Sequence, residues 1–75
     1  SRGVPLFNSG DPEGCAAIYE IACLALLERD ALSQSTKTRI SQSLTDASKA
    51  QSFTRQAWIL RYAIDDVLRE LQEIL

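Results

Sequence analysis

The chain has 75 residues and no histidine. That absence excludes Ser/His and Cys/His hydrolases, His-ligated metal sites and the usual proton shuttle near neutral pH. Cysteine occurs only twice, too few for a disulfide scaffold. Glycine occurs three times and forms no phosphate-cradling loop. No basic cluster exists, so nucleic-acid binding has little electrostatic footing. No apolar run approaches the roughly 20 residues that span a bilayer. Ser and Thr are plentiful, but no base accompanies them. The only adjacent acids of the C-terminal half, Asp65 and Asp66, would point about 100° apart on a helix and share a substrate poorly. We therefore expect no enzyme, no cofactor and no metal.

What is present describes one small folded domain. Hydrophobic residues make up 45% and charged residues 24%, with eight Lys/Arg against ten Asp/Glu. A chain of this size buries roughly 60% of its unfolded surface, so stability is marginal and help from a partner is common. It begins Ser1-Arg2 without a signal-like segment, from which we expect a fragment of a longer protein.

Residues 1–11 read as an irregular arm. Gly3, Pro5 and Asn8-Ser9-Gly10 form turns, while Val4, Leu6 and Phe7 would pack. Asp11-Pro12-Glu13 then signals a helix start: a capping carboxylate, a proline at the first position and an acid at the positive dipole end. The first helix is expected over about 12–29. A polar connection follows over 30–35. The second helix is expected over about 36–50, with a thin apolar stripe of Ile40, Leu44 and Ala47. It should be the most exposed of the three. The third helix follows Ser52, a plausible cap, over about 53–74. Phe53, Ala57, Leu60, Ile64, Val67, Leu68, Leu71 and Leu75 share one face at helical spacing. No strand signal competes. The expected fold is all-α: a small antiparallel three-helix bundle with an N-terminal arm tucked against it.

The first helix is apolar nearly all round. From 15 to 27 only Glu20 is charged, and it should mark the one solvent-facing strip. Either this is the central helix of a self-sufficient core, or part of its surface meets a second copy or a segment outside the chain. Cys15 and Cys23 lie eight positions apart, about 12 Å along a helix. A disulfide needs Cα atoms within about 7 Å, so an internal bridge is excluded. The thiols read as small buried hydrophobes. As thiols, they favour a reducing, cytoplasmic setting, and the compartment is otherwise open.

The third helix carries a second face. Trp58, Tyr62 and Ile59 point away from the Leu60/Ile64/Leu68 side, with Arg55 and Arg69 at the rim. Trp, Tyr and Arg are the types most enriched at interface hot spots. Arg61–Asp65 and Asp65–Arg69 fall at i,i+4 and would pair on a solvated face. Three readings of the aromatic face stay open: core covered by the arm or the first helix, a surface for a protein partner or a second copy, or a small-ligand pocket. A small apolar ligand between the first and third helices, near Cys15, Tyr19 and Ile64, is the rival function. A structural segment of a larger enzyme is the third.

Residues 10–22, Gly-Asp-Pro-Glu-Gly-Cys-Ala-Ala-Ile-Tyr-Glu-Ile-Ala, resemble the second helix of a tetratricopeptide repeat. A Gly-Asp turn leads into a small residue, an aromatic and an alanine, here Cys15, Tyr19 and Ala22. The resemblance implies a helix packed closely through small residues and a protein-interaction scaffold. It covers this segment alone. Pro5 stands where the first helix of a repeat would run, and no second repeat follows.

Overall fold

In the computed structural model, residues 10–74 are described. The arm expected over 1–11, with its apolar residues Val4, Leu6 and Phe7, lies almost wholly outside them, as does Leu75. Three helices fill the described chain: α1 (Pro12–Leu27), α2 (Gln34–Ser48) and α3 (Phe53–Ile74). Among the described residues there is no strand, and no helix is long and apolar enough to cross a membrane.

Each helix starts on a side-chain cap. Gly10 takes a positive φ of +84°, a turn that costs glycine nothing. Asp11 follows, and its carboxylate accepts a hydrogen bond from the Gly14 amide at 3.0 Å. A Cβ on Gly14 would sit 2.5 Å from that carboxylate, so the missing side chain lets the cap close. Ser33 caps α2 by accepting from the Thr36 amide at 3.2 Å. Ser52 caps α3, accepting from the Arg55 amide at 3.1 Å as the sequence predicts.

The boundaries expected for α1 and α2 need correction. α1 closes two residues early, with Glu28 as its C-cap. α2 starts at Gln34 and ends at Ser48, two residues earlier at both ends. The earlier start of α2 follows from Ser33, whose hydroxyl organises a turn in the stretch that composition alone marks as polar connection.

The helices form a compact bundle. α1 packs mainly on α3, α2 packs on α3, and α1 and α2 touch least. Thr36, at the start of α2, meets Glu70, near the end of α3. Glu13, Ser48 and Phe53 line one cleft at the opposite end. α2 therefore runs against its two neighbours, and α1 and α3 run the same way.

The core is Cys15, Ala16, Tyr19 and Cys23 of α1, Leu32 of the connection, Ile40 and Ala47 of α2, and Ala57, Leu60, Ala63 and Val67 of α3. Small residues dominate the α1–α3 seam and let the two backbones approach. The Cys23 thiol lies 4.0 Å from the Leu60 carbonyl oxygen. Both cysteines are buried thiols, small hydrophobes in a core. Ala63 belongs to the core although the expected stripe omits it, whereas Phe53 and Leu68 of that stripe are exposed. Leu68 lies at the edge of the stripe farthest from Ala63, whereas Phe53 lies mid-stripe but is the first residue of α3, at the end of the bundle.

Glu20 is exposed, as expected, and lies in an open arc of α1 that is wider than one strip. Ile21 is 68% exposed and Leu24 50% exposed. Ala17 and Ala25 are open beside them. Among the described residues, this helix, apolar nearly all round, is covered on one side.

One polar cluster ties α2 to α3. Thr36 is buried, and its hydroxyl donates to the Glu70 carboxylate through a short hydrogen bond. The Ser33 hydroxyl donates to the Thr36 oxygen at 2.9 Å. The other Glu70 carboxylate oxygen is buried without a hydrogen-bond partner.

Candidate functional site

α3 presents Trp58 and Tyr62 one turn apart on its outer side. Their ring centroids are 5.7 Å apart and tilted by 33°, an aromatic pair within favourable range. Trp58 is 40% exposed and Tyr62 63% exposed. The Arg61 guanidinium lies 5.9 Å from the Trp58 ring centroid, at cation–π distance. Arg61 also reaches toward Tyr19 of α1. Burial pushes the Tyr19 phenol above its ordinary range, the neighbouring Cys15 thiol adds to this, and Arg61 opposes it. Arg61 therefore links the outer aromatic pair to the α1–α3 seam.

The predicted surface residues do not all gather on one face. Trp58 and Tyr62 stand together. Arg55 is exposed one turn before Trp58, and Arg69 is exposed two turns after Tyr62. Ile59 is half-buried and packs against the core, where it lines a shallow depression with Asp46, Lys49, Ala50 and Arg55. It belongs to the α2 side of α3, because each residue turns the direction by about 100°. The expected i,i+4 ion pairs give way to others. Arg69 bridges Asp66 at 2.5 Å, at i,i+3, and Arg61 goes to Trp58. Sequence reading missed Arg61 as a member of the aromatic site. Its i,i+3 spacing from Trp58 is the signal that could have found it.

The apolar ligand expected between the first and third helices would lie near Cys15, Tyr19 and Ile64. Cys15 and Tyr19 are buried in the seam, and Ile64 packs against the same core. Burial raises the Cys23 thiol to about 11, with the Glu20 carboxylate adding to the rise. That thiol is a poor nucleophile. The opening lies on the other flank of α1. A cleft of about 210 Å³ runs between α1, α2 and the start of α3. Ala16, Ala17, Leu44 and Leu60 line it, Phe53 stands half-exposed at its edge, and Glu13 and Glu20 are its charged members. No lining residue is basic. Small-molecule sites typically measure about 300–1,000 Å³, whereas roughly 150 Å³ already admits a benzene-sized group. The cleft has the size of a large side chain.

Among the described residues no cluster of three or more His, Cys, Asp or Glu side chains could hold a metal ion. Comparison with known proteins finds no protein-family model, no curated protein and no solved structure that matches this chain.

Proposed function

We propose that this chain is a protein-interaction domain with no catalytic chemistry of its own. A partner docks against Trp58 and Tyr62, with Arg55 and Arg69 orienting it from the two ends of α3. The exposed aromatic pair carries this reading: two large rings stand in contact on an outer helix face, with Arg61 beside them. Such groups bury much area at little entropic cost and still hydrogen-bond at the rim. The likeness of residues 10–22 to a repeat that builds interaction scaffolds agrees with it. The partner is another protein or a second copy, and sedimentation of the isolated chain separates the two.

The test selects peptides from a displayed library on the wild-type chain and re-measures them on Trp58→Ala. Binding is expected to fall at least about tenfold, the loss of one hot spot. Helix content by circular dichroism is expected to stay. If Trp58→Ala unfolds, Trp58 is core and the reading fails.

A further inference from the structure

The outer side of α1 carries a second surface that the aromatic face does not use. Glu13, Ala17, Glu20 and Leu24 follow one another at spacings of four, three and four residues, so they form one row along the helix. Glu13, Ala17 and Glu20 line the cleft, Leu24 is exposed one turn beyond Glu20 on the same row, and Ile21 is exposed beside the row. The row spans about 16 Å, or three helical turns. Its apolar parts would gain from cover. Its charges are of one sign: α1 holds Glu13 and Glu20 and no Lys or Arg.

We propose that this acid-rimmed apolar groove docks a basic amphipathic helix of a partner protein. The occupant places apolar side chains at i, i+3 or i+4, and i+7, the largest of them in the cleft, and Lys or Arg opposite Glu13 and Glu20. This is helix-in-groove recognition, with charge setting the choice of partner. A second copy fits badly. Antiparallel pairing through this row gathers four carboxylates, Glu13 and Glu20 of each copy, with no Lys or Arg of α1 to offset them, and like charges at an interface are costly. Phosphate-rich surfaces, whether membrane or nucleic acid, meet the same carboxylates. The proposal shares with the reading above only the claim that the domain binds protein, and it stands on a different face.

The probe is a fluorescein-labelled amphipathic peptide of roughly 16 residues, Leu on the helix stripe and Lys elsewhere, read by anisotropy. The full chain is expected to bind it, and a Glu-for-Lys version is expected not to bind. Glu13→Gln with Glu20→Gln is expected to weaken binding about tenfold, as is Leu24→Ser. All three side chains are exposed, and thermal melts check that the variants stay folded. Trp58→Ala is expected to leave binding unchanged. Amide shifts should cluster at Ala17, Glu20, Leu44 and Phe53. Binding that ignores the two glutamines overturns the proposal, as do shifts centred on Trp58 and Tyr62 or no binding at about 1 mM. Binding that appears only after residues 1–9 are deleted would make that segment the occupant and overturn it too. Self-association abolished by Leu24→Ser would assign the groove to a second copy and overturn it likewise.

Discussion

α1 and α2 make opposite use of their compositions. α1 is almost wholly apolar, yet it leaves Ile21 and Leu24 in solvent. α2 is mostly Ser, Thr, Gln and Lys, yet Ile40 and Thr36 are each 1% exposed and Ala47 is buried. How much a helix contributes to a core thus depends on which arc its neighbours cover. A polar helix with three well-placed anchors is fastened, and an apolar helix with one covered side keeps an unused surface. The α2 anchors are also chemically mixed: an aliphatic contact at Ile40, and a hydroxyl–carboxylate bond from Thr36 to Glu70.

The sharpest test of this contrast is Ile40→Ala. Truncating a fully buried aliphatic chain costs about 2–5 kcal/mol, because a cavity is left behind. For a domain of this size that is a large share of total stability. Urea or guanidinium unfolding of the variant is expected to show a much lowered midpoint. If it does not, α2 is the loose cover that its composition suggests.

Thr36→Val comes next. The Glu70 carboxylate would lose its hydroxyl donor inside the protein, at about 1–3 kcal/mol. Adding Glu70→Leu removes the orphaned carboxylate and is expected to recover part of the loss. A double-mutant cycle measures the coupling.

The α1 seam has its own signature, in pH. The Cys23 thiol is raised from 9.0 to about 11 in the folded chain. The unfolded chain therefore releases this proton first. The associated stability is complete below about pH 9 and is lost as pH climbs through 11. Tyr19 is raised as well and pushes in the same direction. Equilibrium unfolding between pH 8 and 11 is expected to show this decline, and Cys23→Ala is expected to flatten part of it.

The smallest effect belongs to the open face of α1. Ile21→Ala is expected to change stability by no more than about 0.5 kcal/mol, since the side chain is mostly in solvent already. A loss comparable with that of Ile40→Ala would mean that this face is covered in solution.

Much of the fold is legible in the sequence. Local signals place the caps at Asp11 and Ser52, the third helix over 53–74 and the stripe of Ile40, Leu44 and Ala47. The rest depends on tertiary neighbours. The burial of Thr36 rests on Glu70, 34 positions away, and no local pattern anticipates a buried hydroxyl. Periodicity identifies α1 as apolar but does not say which arc α3 covers, so the exposure of Ile21 and Leu24 escapes it. Leu68 lies on the expected stripe but at its edge, where cover ends. The aromatic pair of Trp58 and Tyr62 is readable from spacing. Arg61 is readable only in part: it stands three residues from Trp58, but Asp65 at i+4 competes for the same guanidinium. The cleft gathers residues from three helices, so nothing local to any one of them announces it.

The two thiols of α1 have a practical consequence. Both sulfurs are buried in the core, so a thiol-specific reagent can reach them only when the core opens. The chain carries its own clock for that opening. Two built-in probes, placed about two turns apart on one helix, time whether its ends open together or one after the other.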